Sequence, residues 1–332
     1  MSTEEPIEHT LSGILCEPTE SQRDYYEKRL YPLQDLVLSK TPALDGLVLS
    51  GGTALSRFFF RHRYSDDLDF YFYGQDSLSS HKTFETNIRQ FRQKLVHAGL
   101  DVSVQEESDH FLQWLIKSPN VEHPLKVELI FELRSSLGSY ENHGPFFRDS
   151  LENLAINKVS TLIGRNLVRD VLDLQAISSR LSVQKILDLS EGAYGPLYKE
   201  DLLLMTKNIV TPRNTPVFLT GQKDVLGLLR FMDTLEREIR SRIEREGEIL
   251  KKKLPAVLSD LFWDDSSTGR MATKISNIDE ITPEQATRIL ESGSLALWGA
   301  LGTSTLQRIK SLPKWPLRLS PNRKILLDML SE

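Results

Sequence analysis

The sequence holds one cysteine, Cys16, which excludes an intramolecular disulfide and any cysteine-rich zinc site. Its seven histidines show no HxxxH pairing or other metal-ligand spacing. No apolar run approaches the ~20 residues that a membrane-crossing helix needs. The opening MSTEEPIEHT is polar and acidic, unlike the basic and then apolar pattern of a secretory leader. Cytoplasmic residence and the absence of a membrane partner are the expectations. Net charge is small as well. The chain has 41 basic and 46 acidic residues, a balance of −5, which argues against indiscriminate binding to nucleic acid. What remains is the composition of a soluble globular protein, 39% hydrophobic and 26% charged, and 332 residues suffice for two domains.

The most informative stretch is LVLSGGTALSRFFFRHRYSDDLDFYFY, from Leu47 to Tyr73. Leu47, Val48 and Leu49 form a short β-compatible run. Gly51 and Gly52 then let the backbone turn sharply and approach a ligand closely. Thr53 is placed to N-cap the helix-like run after them. Such a helix start offers unpaired N–H groups and a positive dipole end to an anion. Ser50, Gly51, Gly52 and Thr53 are therefore candidate phosphate binders, although a glycine pair also marks an ordinary strand–turn–helix corner. The stretch is neither a Walker A loop nor a dinucleotide fingerprint, because the residues those motifs require are missing.

A second strand is expected to place Ser65, Asp67, Asp69, Tyr71 and Tyr73 on one face and Leu68, Phe70 and Phe72 on the core face. Two carboxylates two residues apart in a hydrophobic strand repel each other and are costly to bury. A divalent cation, Mg²⁺ or Mn²⁺, relieves that cost by taking oxygen ligands from carboxylates and substrate phosphates. A solvated acidic edge strand is the alternative. Together the two halves describe a site for a metal-bound nucleoside triphosphate.

Further along, Lys158 shares a helical stripe with Leu151, Leu154 and Leu162. A lysine amid an apolar face needs a partner or a ligand. Asp170 and Asp173, three apart on the next helix, are candidate partners, and a triphosphate is another. A lysine snorkelling from the core edge is the alternative, as is Asp170 paired with Arg165 or Arg169.

Ser50-Gly51-Gly52-Thr53-Ala54-Leu55, followed by His62-Arg63-Tyr64-Ser65-Asp66-Asp67-Leu68-Asp69-Phe70, resembles the "GGTxL … hRxSxDLDF" signature of the AbiEii/AbiGii toxin family. That family includes the MenT toxins and has the DNA polymerase β-type nucleotidyltransferase fold. Asn157-Lys158-Val159-Ser160, followed by Arg169-Asp170-Val171-Leu172-Asp173-Leu174, is similar to its "K(L/I)xAL … RDxxDL" block. The resemblance covers roughly residues 45 to 175. Many members carry Lys where Ser50 stands and Tyr where Leu172 stands. Neither change removes a carboxylate or Lys158.

The resemblance implies an α/β (α+β) architecture: a polymerase β-type nucleotidyltransferase domain with a mixed sheet, then a mainly helical C-terminal domain. A stretch rich in turn formers, Ser139 to Pro145, puts the domains at residues 1–140 and 145–332. The second would contribute Lys158, Asp170 and a basic segment. The resemblance further implies Asp67 and Asp69 as metal ligands, and Lys158 and Asp170 as catalytic residues. Ser50 to Thr53, Arg63, Ser65 and Asp173 would bind the nucleotide. A third carboxylate is expected in such sites, and Glu128, on the alternating run Lys126 to Glu132, is the candidate. Arg57 and Arg61 also fall near the expected triphosphate.

The implied activity is that of a template-independent nucleotidyltransferase in a toxin–antitoxin or phage-defence system. An acceptor hydroxyl, that of a tRNA 3′ end, attacks the α-phosphorus of an NTP, pyrophosphate leaves, and a cognate antitoxin neutralises the enzyme. A protein-modifying nucleotidyltransferase and a catalytically silent NTP-binding regulator are the alternatives.

The rest of the chain reads as a helix over residues 20–38 broken at Pro32, and a helix from His81 to His97. Strands follow near Leu100–Val104, Phe111–Ile116 and Leu125–Phe131, then mostly helical patterns from Leu151 onward. Lys223 to Leu261 contains a long charged helix, and Trp263 to Thr268 reads as a polar loop. Between Leu301 and Leu327 stand Arg308, Lys310, Lys314, Arg318, Arg323 and Lys324, with Trp315 and no acid. Basic residues around an aromatic suit an RNA backbone and a stacked base. A solvated basic tail fits as well.

Overall fold

Alternation of apolar and polar residues builds the central sheet. In the computed structural model Leu68, Phe70 and Phe72 are buried while Asp69, Tyr71 and Tyr73 between them are half-buried, and the neighbouring strand repeats the pattern with Val127, Leu129 and Phe131. The structure describes residues 7–42, 46–195, 199–207, 209, 215–251, 290–291, 295–310 and 320–331.

The elements run α1 (Ile7–Ile14), β1 (Leu15–Cys16), α2 (Glu20–Tyr25), α3 (Tyr31–Leu38), β2 (Leu47–Ser50), α4 (Gly51–Thr53), β3 (Leu68–Tyr73) and α5 (Leu78–His97). Then come β4 (Asp101–Glu107), β5 (Phe111–Lys117), β6 (Leu125–Glu132), β7 (Glu141–Asn142) and β8 (Phe147–Arg148). Helices α6 (Leu151–Arg165), α7 (Val168–Ser178), α8 (Val183–Tyr194) and α9 (Lys199–Lys207) follow, with β9 (Val217–Phe218) and α10 (Val225–Lys251) after them. The last described helices are α11 (Leu295–Leu301), α12 (Thr303–Lys310) and α13 (Pro321–Ser331).

The main sheet has seven strands in the order β4-β5-β6-β3-β2-β8-β7. It is mixed: β3 runs antiparallel to β2 and parallel to β6, and β8 runs parallel to β2. The mixed sheet of the expected α/β architecture is therefore present. One face is covered by α5, whose Phe84, Phe91 and Leu95 are buried. The Phe91 ring lies 5.3 Å from Phe70 and 5.7 Å from Trp114. Each such burial stabilises the fold by about 1.5–3 kcal/mol. The other face carries Asp69, Tyr71 and Tyr73 and meets α6, where Asn157 Nδ2 donates to Tyr73 OH at 3.0 Å.

The chain divides into two compact units, Met1–Leu197 with Ile209–Phe231, and Tyr198–Asn208 with Met232–Glu332. Residues 151–194, on helices α6 to α8, thus belong to the unit that holds the sheet. The division falls beyond the Ser139 to Pro145 turn region. Residues 143–148 form no linker, since His143 N–H bonds Phe146 O and β8 pairs with β2.

Pro32 does not break its helix. It sits in the first turn of α3, directly after a π-turn at Tyr26–Leu30 that joins α2 to α3. Wider turn spacing there accommodates a residue that has no N–H to donate. From Met232 on, in the second unit, α10 carries the expected alternating charges, with Arg240 paired to Glu236 at 2.8 Å. The polar loop expected at Trp263 to Thr268 lies outside the described residues. No described helix is long and apolar enough to cross a membrane.

Candidate active site

Strand β2 ends at Ser50, and a helical turn opens at Gly51. Gly51 has φ +67°, and a Cβ there would overlap the Asp69 carboxylate. A Cβ at Gly52 would overlap the Arg63 guanidinium. Both glycines are therefore dictated by the side chains lying against them. The turn widens into a π-helix, Ala54–Phe60, that ends at Arg61 in the left-handed region with φ 52°. Residue 50, not Thr53, is the N-cap, and its side chain makes no capping bond. The Thr53 hydroxyl instead donates to Asp67 O. Ser65 and Asp67 precede β3 rather than lying within it. Gln34 Nε2 donates to Ser65 O at 3.2 Å and to Asp66 O at 3.1 Å, so these carbonyls serve side chains instead of a ladder.

The parallel register of β3 and β6 sets Asp69 beside Glu128, with Asp67 two residues before Asp69. Lys126 Nζ lies 2.9 Å from Asp67 Oδ2 and 2.8 Å from Glu128 Oε1. Gln113 Nε2 also donates to Glu128 Oε1, at 3.1 Å. Burial pushes Asp67 up, partly offset by Lys126. Asp69 is pushed up to about 6 by burial and by the Glu128 and Asp67 charges. Burial also acts on Glu128, but the Lys126 hydrogen bond and charge outweigh it and hold Glu128 below the usual range. Lys126 thus compensates Asp67 and Glu128 and forms no ion pair with Asp69. Among the described residues no three His, Cys, Asp or Glu side chains already form a cation cage.

Beside this lies a buried ion network. Lys158 Nζ is 2.6 Å from Asp173 Oδ2 and 3.1 Å from Asp170 Oδ1. Arg63 binds Asp173 through Nε at 2.7 Å and Nη2 at 2.8 Å, and His62 Nε2 lies 2.8 Å from the same carboxylate. Arg165 makes two bonds to Asp170, both 2.8 Å. Burial raises Asp173, but Arg63 and Lys158 more than reverse this and hold it well below the ordinary carboxylate value. Asp170 is lowered in the same manner, by Lys158 and Arg165 against burial. Removing one member of such a network is strongly destabilising, because the charges left behind stay buried without compensation.

A third cluster was not visible in the sequence. Asp149, fully buried, accepts from Ser50 Oγ at 2.8 Å, Tyr73 OH at 2.6 Å and Asn153 Nδ2 at 2.7 Å. Arg134 donates to Asn153 and Asn157 at 2.8 and 2.9 Å and lies 4.6 Å over the Tyr73 ring.

The fold therefore gathers Asp69 and Glu128 on adjoining strands, with Asp67 just before β3, beside the Ser50–Thr53 turn. It gathers Arg63, Lys158, Asp170 and Asp173 in the adjoining network. Arg63 spends its hydrogen bonds on Asp173 and Tyr64 O, Asp173 also meets His62 and Lys158, and the Arg63 guanidinium underpins the turn at Gly52. Arg57 stands apart, 4.3 Å over the Tyr31 ring and paired with Asp35, and Arg61 is exposed. Of the basic C-terminal segment, Lys310 pairs with Asp328 at 2.7 Å and Arg323 with Glu200 at 3.3 Å. Lys324 is exposed. Lys314, Trp315 and Arg318 lie outside the described residues, as does the side chain of Arg308. A cleft of about 870 Å³ opens at Asp67, lined by Tyr25, Tyr26, Arg29 and His123. The larger cavity, about 1020 Å³ between α5 and the β4–β5 hairpin, contains none of these carboxylates.

Residues 33–202 match the profile of the family described as "Nucleotidyl transferase AbiEii toxin, Type IV TA system". No curated protein matches by sequence. Among solved structures, a putative nucleotidyltransferase from Helicobacter pylori is 15% identical, with 68% of this chain and 98% of that chain covered and a TM-score of 0.41. The nucleotidyltransferase toxin MenT4 from Mycobacterium tuberculosis H37Rv is 17% identical, with 63% and 81% covered and a TM-score of 0.43.

Proposed function

The chain belongs to the AbiEii nucleotidyltransferase toxin family, and from that premise we propose that it transfers a nucleoside monophosphate from a metal-bound NTP to a hydroxyl of RNA, that of a tRNA 3′ end. Membership also implies a cognate antitoxin. The observation that carries the reading is the packing of the Asp69 carboxylate against Gly51. It sets a glycine turn of the anion-binding type against the half-buried carboxylate that follows Asp67 by two residues.

Asp67, Asp69 and Glu128 would hold Mg²⁺ or Mn²⁺. The donor set is all oxygen, and the Asp69 carboxylate, which makes no ion pair among the described residues, is raised by burial and by its acidic neighbours, which suits a hard divalent cation. When bound, such a cation supplies Lewis-acid stabilisation and a template for the phosphates. The Gly51-Gly52 turn holds phosphate oxygens through backbone N–H groups. Lys158 neutralises charge at the transferred group. Asp170, strongly paired and lowered, orients Lys158 and is a poor proton acceptor. The acceptor hydroxyl gives up its proton to solvent, its oxygen bonds to the α-phosphorus as the bond from that phosphorus to the bridging oxygen breaks, and pyrophosphate leaves.

The test offers total RNA and total protein in parallel, with each of the four α-labelled NTPs. Label in RNA supports the proposal. Label in protein alone would assign a protein-modifying enzyme, and no label with any NTP would assign a silent regulator.

A further inference from the structure

Asp149 has no place in the chemistry above, yet its carboxylate touches three of the elements that build the site. It follows β8, whose parallel pairing sets Arg148 beside Leu49. Its N–H donates to Leu49 O at 2.9 Å. This register brings the side chain to the end of β2. Oδ2 accepts from Ser50 Oγ at 2.8 Å and from Tyr73 OH at 2.6 Å. Oδ1 accepts from Asn153 Nδ2 at 2.7 Å and from Ser150 N–H at 2.9 Å. The donors come from the glycine turn, from β3 and from the head of α6, the helix that carries Lys158. Bonds to a carboxylate are shorter and roughly twice as strong as neutral ones, so these elements are tied at one point.

The tie has a second effect. Ser is a favoured N-cap because its oxygen satisfies N–H groups of the first helical turn. Ser50 occupies the N-cap position but makes no such bond, and its hydroxyl is directed to Asp149. The first-turn N–H groups are left uncapped by their own serine, as an anion-binding turn requires.

We infer that Asp149 is a positioning residue for the nucleotide: through its bond to the Ser50 hydroxyl it fixes the Gly51-Gly52 backbone relative to β3 and α6. This rests on the reading of the turn as a phosphate binder.

Inorganic tripolyphosphate with Mg²⁺ tests both, because it has phosphates and no base. Its affinity is measured by calorimetry for wild type, Asp149→Asn, Ser50→Ala and the double variant, with melting temperatures on the same preparations. Each single variant should weaken binding about 10- to 100-fold, the effect of a misplaced binding group. The double variant should be no weaker than the worse single one, since both remove the same interaction. Additive losses would mean that Ser50 meets phosphate on its own account and would overturn the inference, as would unchanged affinities. A folded wild type that binds no tripolyphosphate would overturn the phosphate-binding turn itself. Should Asp149→Asn not fold, Ser50→Ala still decides: undiminished affinity in that variant overturns the inference.

Discussion

Lys158 Nζ lies 2.6 Å from Asp173 Oδ2. The lysine sits in the apolar stripe of α6 and is 4% exposed, so its charge exists in the core only because α7 presents Asp173 and Asp170 to it. A residue read as a phosphate ligand is thus also a structural cation, and replacing it has two effects that can be measured separately.

Lys158→Met keeps most of the stem and removes the charge. Breaking a buried pair costs about 3–5 kcal/mol, and the loss should fall near the lower end because Arg63 and Arg165 still face the two aspartates. Turnover per folded molecule should also fall sharply. Denaturant unfolding and activity on one preparation separate the two. Full turnover in the folded fraction would make Lys158 purely structural.

The network sets the acid limit of stability. Asp170 and Asp173 are both held below the ordinary carboxylate value. Their contribution is therefore complete above the unfolded value of about 4 and is lost as pH falls through the lowered folded values. Asp173→Asn should melt well below wild type at pH 7, with the gap closing as pH falls below about 4. A gap independent of pH would remove the ion network as its cause.

Gly51→Ala should damage stability and nucleotide binding together. The left-handed φ costs an alanine roughly 1–2 kcal/mol, and its Cβ would displace the Asp69 carboxylate. Gly195→Ala, also at positive φ but with open space around it, should lower the melting temperature alone. Equal nucleotide affinity in the two variants would show that the turn does not touch the substrate.

The legible parts of this molecule are local. Period-two alternation marked Asp69, Phe70, Tyr71 and Phe72, and a lysine among leucines marked Lys158 for burial with its aspartates. The glycine pair marked the turn. Residues whose role depends on distant partners were not legible. Asp149 is 99 residues from Ser50, and only the parallel pairing of β8 with β2 brings them together. Thr53 reads as a cap until Asp67 O is placed beside it. Lys126 shares a strand face with Glu128, which was visible, but its hold on Asp67 depends on the register of β3 and β6. The stretch Ser139 to Pro145 looked like a domain boundary because it is rich in turn formers and mostly helical patterns follow it, those of α6 to α8 among them. Their packing on the sheet is a tertiary fact that composition does not carry.

The central claim is that the Asp67–Asp69 pair drives nucleotidyl transfer, and it is tested most directly by following two labels. RNA is offered NTP labelled at the α-phosphorus or at the γ-phosphorus, with wild type and with Asp69→Ala, whose melting temperature without metal should hold or rise as a buried repulsion is removed. The account predicts α-label in RNA, no γ-label, and loss of transfer in folded Asp69→Ala, because stabilisation worth several kcal/mol goes with the carboxylate. Transfer of γ-label, or undiminished α-transfer by Asp69→Ala, would contradict it.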